Sequence, residues 1–324
     1  MKIKAYGLIF CILFLSVWLC ACTAEPVALP GEAYQEIHVE NGIVQRYFVI
    51  ESEGCRLNAV YTYISDGKHH PTVLLIAGSG PSDYNGTVGV WRPYEDIALG
   101  LAERGVCSLR LDKRTQNGSA FAPTDGIEEE YLTDCRAALA CLEAAGIRDI
   151  YLFGHSLGGQ IAAELAVQEP SVKGMILFNS SPRHLADIAC DQYTRADDAH
   201  ATEYRFYADA AKASTAENAQ GYYYYGVTDY YWAAYNALNT VSSIRQAAIP
   251  TLIVNSTADL QTFPADLDGW QSLTDAPNVT VSLYDEISHF GYRADLSDPS
   301  VIETDLAFPE ELLDQFAKFY KEAS

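Results

Sequence analysis

The run Gly154-His155-Ser156-Leu157-Gly158-Gly159 sets one hydroxyl between glycines in the spacing G-x-S-x-G. An apolar stretch, Ile150–Phe153, precedes it and a helix-forming stretch, Leu157–Gln168, follows. A strand entering a helix through so short a link must bend sharply. The bend strains the serine backbone, exposes Oγ and sets it at a helix N-terminus, where developing negative charge is favoured. The flanking positions must be small for the chains to approach. The plainer alternative is a glycine-rich turn with a capping serine.

A serine hydroxyl is a weak nucleophile at neutral pH and needs a base, and imidazole titrates in the useful range. Of the seven histidines, His155 lies in the bend itself and is expected to point away from Ser156. His38, His69 and His70 come before the core, and His184 and His200 fall in an irregular middle segment. His289 follows an apolar run, in the loop Glu286-Ile287-Ser288-His289-Phe290-Gly291. Where a serine sits on such a bend, chain order runs serine, acid, histidine, which favours His289 as base. The acid holds the imidazole in one tautomer and stabilises its charged form. Asp259, in Asn255-Ser256-Thr257-Ala258-Asp259, follows an apolar run and precedes His289 by 30 residues. Asp266, Asp268 and, one strand earlier, Asp187 are its rivals. Acyl transfer also builds charge on a carbonyl oxygen, and preorganised N–H donors there contribute about 3 kcal/mol each. The amide of Leu157 is one expected donor. The second is expected from Ala77-Gly78-Ser79-Gly80-Pro81, through the amide of Ser79.

These residues need a scaffold that brings distant loops to one edge. Apolar runs at Val73–Ala77, Val106–Leu111, Ile150–Phe153, Gly174–Asn179, Thr251–Asn255 and Val279–Tyr284 read as buried strands. Helical stretches separate them: Tyr94–Arg104, Ile127–Ala145, Leu157–Gln168, a region near Pro264–Leu273, and Pro309–Tyr320. The alternation predicts an α/β fold with a mostly parallel central sheet flanked by helices. Residues 34–64 alternate instead, with Glu40-Asn41-Gly42 as a turn, and predict an antiparallel entry to that sheet. Residues 182–245 break the rhythm and concentrate aromatics, Tyr222 to Tyr225, Tyr230, Tyr231, Trp232 and Tyr235. They read as a helical cap inserted between two halves of the core, 34–181 and 246–324, or as a helical subdomain whose aromatics pack on it.

Residues 1–22 carry Lys2 and Lys4, then an apolar run ending in Leu19-Cys20-Ala21-Cys22. This is similar to a bacterial signal peptide with a lipobox, Cys22 being the lipidated first residue and 23–33 a tether. A plain cleaved leader and a retained anchor are the other readings. The expected location is extracytoplasmic, lipid-anchored to the outer face of the cell membrane or secreted. The net charge is -22, and -24 once the two lysines are removed. Such a surface repels nucleic acid. Past Cys22 there are five cysteines, Cys55, Cys107, Cys135, Cys141 and Cys190, without metal spacing, and free thiols are expected for most.

Taken together, Gly78-Ser79-Gly80-Pro81-Ser82-Asp83-Tyr84-Asn85-Gly86 resembles the GSGPxDRDG loop of a secreted bacterial branch of α/β-hydrolases, the EstD-like carboxylesterases. Leu111-Asp112-Lys113-Arg114-Thr115 resembles the branch's YDKR segment. Gly154 to Gly159, Ser288-His289, and Asp259-Leu260-Gln261-Thr262 with Asp268 and Trp270 continue the likeness over about residues 70–320. The resemblance implies the α/β-hydrolase fold, hydrolysis of a small-molecule carboxylic ester, and no metal or cofactor. Asp112, Lys113 and Arg114 are then expected to brace loops. Ala77 stands where the branch usually has histidine, and Tyr84 where it often has arginine. Two other functions fit the same residues: an aminopeptidase-like hydrolase, with Asp191, Asp197, Asp198 or Asp229 holding an amine, and a non-catalytic ligand-binding surface lipoprotein.

Overall fold

A computed structural model describes residues 30–116 and 122–323. The leader with Cys22, and the tether up to residue 29, lie outside these. Strands β1 (Gln35–His38), β2 (Ile43–Ser52), β3 (Cys55–Ile64), β4 (Thr72–Ile76), β5 (Cys107–Leu111), β6 (Ile150–His155), β7 (Val172–Phe178), β8 (Tyr223–Tyr224), β9 (Val227–Thr228), β10 (Thr251–Ser256) and β11 (Val279–Tyr284) alternate with helices. The helices are α1 (Pro93–Glu103), α2 (Thr133–Ala144), α3 (Leu157–Gln168), α4 (Leu185–Ala196), α5 (Ala201–Lys212), α6 (Asp229–Tyr235), α7 (Thr240–Ala247), α8 (Pro264–Asp268) and α9 (Glu310–Glu322). One sheet has the order β1-β2-β3-β5-β4-β6-β7-β10-β11, and β8 and β9 form a separate hairpin. Along this sheet β5, β4, β6, β7, β10 and β11 pair parallel, while β1, β2, β3 and β5 pair antiparallel.

Side-chain alternation along the central strands builds two cores. Leu74, Ile76 and Leu152 point to the face covered by α2 and α3, through Leu139, Leu142, Ile161 and Leu165. Val73, Leu75, Tyr151 and Phe153 point to the face covered by α1 and α9, through Ile97, Leu101, Leu312 and Phe316. Burying each large side chain stabilises the fold by about 1.5–3 kcal/mol. Register then sets up the site. Ile76 pairs with Gly154, His155 with Phe178 and Ser256 with Tyr284, so the loops after β4, β6, β7, β10 and β11 emerge at one edge. In open parallel sheets ligands bind at that carboxyl edge.

The structure departs from expectation in three places. β11 is not buried: Val281 and Leu283 are 37% and 56% exposed, because β11 ends the sheet and pairs only with β10. The alternating region holds a second turn, Glu53-Gly54, with φ of 44° and 81°. Those left-handed angles give the tight reversal that joins β2 to β3. The helix expected over Ile127–Ala145 opens as a π turn at Glu128–Leu132, with the Thr133 amide bonded to Glu128 O, five residues back. Residues 182–245 supply α4, α5, the β8–β9 hairpin, α6 and most of α7 between β7 and β10. α7 rests on α3, with Ser243 Oγ donating to Glu164. The cysteines from Cys55 to Cys190 are free thiols. Among the described residues no helix is long and apolar enough to cross a membrane.

Candidate active site

Ser156 occupies the link between β6 and α3 with φ 55° and ψ -123°, a conformation that strains any residue with a side chain. The bend is tied down by Ser156 N–H to Phe178 O at 2.9 Å and Gly159 N–H to Ser156 O at 3.0 Å. The glycines around it are obligatory. A Cβ on Gly158 would lie 2.2 Å from Ile76 O, and one on Gly154 would lie 2.3 Å from Gly158 O. Both obstacles are backbone and cannot swing aside. A Cβ on Gly159 would meet Ser180 Oγ at 2.4 Å.

His289 arrives in the loop after β11. Its Nδ1 lies 2.7 Å from Asp259 Oδ2, and the two residues are 3% and 5% exposed. Asp259 Oδ1 accepts from the amides of Gln261 (2.7 Å) and Thr262 (3.1 Å). Burial by itself raises the Asp259 pKa, but the facing imidazole and the Gln261 amide outweigh it and hold the carboxyl below the usual range. The rival carboxylates have other partners. Asp266 accepts from Ser181 Oγ, Arg183 and the Phe263 amide, Asp268 from Gln271, and Asp187 pairs with Lys212.

His155 packs against this pair. Its ring is 4.7 Å from that of His289, and its Nε2 is 2.8 Å from His289 O. Tyr94 Oη, 2.9 Å from His155 Nδ1, accepts from Gly78 N–H at 3.3 Å, so its own proton goes to Nδ1. That leaves Nε2 carrying the His155 proton and donating to His289 O. Burial first, and the neighbouring His289 second, press the His155 pKa down to about 3, so the ring is neutral. Asn179 Nδ2 adds bonds of 3.0 Å to both Ser288 O and His289 O.

The loop after β4 lies against the bend: a Cβ on Gly78 would come within 3.0 Å of Ser156 Cβ. Asp112 braces this loop by accepting from Tyr84 N–H and Asn58 Nδ2, both at 2.8 Å. Arg114 grips Asp134 through two bonds, of 3.0 and 2.6 Å. Ser79 is exposed. Leu157 opens α3, so its amide belongs to the first turn, whose donors have no acceptor within the helix.

Ser156, His289, Gly78, Ser79 and Gln261 line one cavity of roughly 410 Å³. Ser79 and Pro81 also line a second, of roughly 650 Å³, walled by Tyr193, Tyr225, Tyr231 and Trp232. The polar groups of that wall are largely occupied: Tyr231 Oη donates to Glu130, Tyr225 Oη to Tyr204 O, Trp232 Nε1 to Tyr224 O and Thr228 Oγ1 to Pro123 O. What faces the space is mainly aromatic and aliphatic. Sequence reasoning missed Tyr94, Asn179 and Tyr131 as neighbours of the site. Nothing in their local pattern separates them from ordinary core residues.

Residues 73–312 match the alpha/beta hydrolase family. The chain is 26% identical to Esterase EstD of Thermotoga maritima over 223 residues, 68% of this chain and 54% of that one. It thus spans about half the length of the curated relatives it matches. Among solved structures it is similar to Est1E from Butyrivibrio proteoclasticus, at 16% identity and TM-score 0.57, covering 86% of this chain and 98% of that one. It is also similar to the Pyrococcus furiosus esterase Pf2001, at 14% identity and TM-score 0.58, covering 92% and 98%. At such identities the likeness speaks for the fold alone.

Proposed function

Because the chain belongs to the alpha/beta hydrolase family, we propose that it is a serine hydrolase that cleaves carboxylic esters through an acyl-enzyme intermediate. The observation that carries this is the buried Asp259–His289 pair and the strained Ser156 opening on one cavity. Ser156 Oγ attacks the ester carbonyl carbon as His289 takes its proton. Asp259 holds the imidazole with its proton on Nδ1, leaving Nε2 to act as base. The amides of Ser79 and Leu157 receive the oxyanion. As the tetrahedral intermediate collapses, His289 protonates the leaving alcohol. It then activates water to release the acid.

The aromatic cavity takes one side of the ester under the cap formed by residues 182–245. Its wall supports an apolar or aromatic group there. An ester is favoured over an aminoacyl substrate because three of the four cap carboxylates that could hold an amine are engaged, Asp191 with Arg183, Asp197 with His200, and Asp229 with the amides of Gln220 and Gly221, and the fourth, Asp198, lines neither cavity. Glu130, which lines the cavity, faces Lys113 at 2.8 Å. We also propose that the leader delivers the enzyme outside the cell membrane, tethered through lipid on Cys22. The test of the catalytic reading is a fluorophosphonate probe with a panel of p-nitrophenyl esters and aminoacyl anilides. Labelling and ester cleavage are expected in the wild type and lost in Ser156→Ala. Ester cleavage undiminished in that variant would overturn the assignment.

A further inference from the structure

The peptide joining Gly78 to Ser79 is gripped from its carbonyl side. Gly78 O accepts from Tyr131 Oη at 2.6 Å and from Lys113 Nζ at 3.2 Å. Lys113 Nζ also donates to Gly80 O at 2.7 Å and to Tyr131 Oη at 2.6 Å, and lies 2.8 Å from Glu130 Oε1. All three side chains are buried: Lys113 is 6% exposed, Glu130 7% and Tyr131 2%. Glu130 and Tyr131 sit in the π turn that opens the second helix, a local widening of the kind often found at functional sites. The turn places these neighbouring residues so that both reach Lys113.

In a trans peptide the N–H points opposite to the carbonyl, and among the described residues no peptide is cis. Anchoring Gly78 O inward therefore turns Ser79 N–H outward, on the side where Ser79 and Ser156 line one cavity. The preceding amide, Gly78 N–H, is already given to Tyr94 Oη. We infer that Lys113 and Tyr131 are positioning residues that aim and polarise the Ser79 amide as an oxyanion donor. The inference rests on the serine-hydrolase reading above. A cation bonded to the carbonyl draws electron density through the amide and makes its N–H a stronger donor, an effect enhanced in a site of low dielectric. Burial presses the Lys113 pKa down, and Glu130 opposes this and favours the ammonium form. Lys113 and Tyr131 touch no substrate: they act behind the peptide that does.

The test uses the full chain with two variants, Tyr131→Phe and the double variant Lys113→Met/Glu130→Gln, which leaves no unpaired buried charge. For each, kcat and KM on p-nitrophenyl acetate are measured per fluorophosphonate-reactive serine, with Ki for a trifluoromethyl ketone whose hemiketal oxyanion needs the same donors. Deleting an oxyanion donor lowers kcat about 10²–10³-fold. Mis-aiming one is expected to lower it about 10-fold in Tyr131→Phe and about 100-fold in the double variant. KM is expected to stay within about 3-fold, with the ketone weakening by the same factor as kcat/KM. Should the double variant fail to fold, Tyr131→Phe decides. Unchanged kcat per reactive serine, or a loss confined to KM with the ketone unaffected, would overturn the inference and leave the catalytic reading standing. A wild type that the phosphonate does not label would overturn both.

Discussion

Asp259→Asn tests the proposed division of labour around His289. In the wild type, Asp259 Oδ1 accepts from the Gln261 and Thr262 amides, while Oδ2 faces His289 Nδ1 at 2.7 Å. Asparagine has one acceptor oxygen, and the two backbone amides will claim it. Its NH2 group then points at His289 Nδ1 and forces that nitrogen to accept. The His289 proton moves to Nε2, the atom that must take the serine proton, and the imidazolium also loses its carboxylate. Where a triad has been broken in this way, kcat falls about 10⁴-fold, or about 5.5 kcal/mol at 1.36 kcal/mol per decade. Burial of both partners leaves little solvent screening to soften the effect. The assay is steady-state hydrolysis of p-nitrophenyl acetate, normalised to correctly folded protein by circular dichroism and thermal melting. Asp266→Asn is the control. That carboxylate is fully buried on Ser181, Arg183 and the Phe263 amide. Its loss is expected to destabilise the fold by about 3–5 kcal/mol while leaving kcat of the folded fraction within about 3-fold. The reasoning fails if Asp259→Asn keeps more than about a hundredth of wild-type kcat, or if Asp266→Asn proves the more damaging to chemistry.

Two further outcomes are expected. His155 has a folded pKa of about 3 against an ordinary 6.5, so the unfolded chain binds more protons between these values. Its contribution to stability is complete above pH 6.5 and declines as pH falls toward 3, in the same sense as that of Asp259, whose pKa is also depressed. Between pH 7 and pH 5 the His155 part amounts to about 2 kcal/mol, and urea midpoints at the two pH values should converge in His155→Gln; identical slopes in both proteins would refute it. Ala189 lines the aromatic cavity at 9% exposure. Ala189→Trp is expected to lower kcat/KM for naphthyl or decanoyl esters at least about 10-fold while sparing the acetyl ester within about 3-fold, and equal losses on both would show that the cavity does not hold substrate.

Much of the scaffold was legible because its signals are local. Five-residue apolar runs can be satisfied only by burial on both faces, so β4, β5, β6, β7 and β10 fall where the runs do. β11 carried the same kind of run and proved half-exposed, since composition does not say which strand will end a sheet. The π turn at Glu128–Leu132 was invisible within a helical pattern. The partners of His155 were not legible, because its neighbours in the chain gave no sign that Tyr94, 61 residues earlier, and the His289 carbonyl, 134 residues later, would take its two nitrogens.

The bend at Ser156 was written in adjacent residues, because the requirement for glycine there is steric contact between neighbouring backbones. Chain order then narrowed the choice of acid and base. The order of residues could not separate Asp259 from Asp266, nor say that Lys113 and Tyr131 meet behind the Gly78 carbonyl. Those partnerships join groups 30, 35 and 53 residues apart. They exist because strand register and helix packing bring loops from separate crossovers to one end of the sheet, where burial leaves each polar atom only the partners that folding has placed within reach.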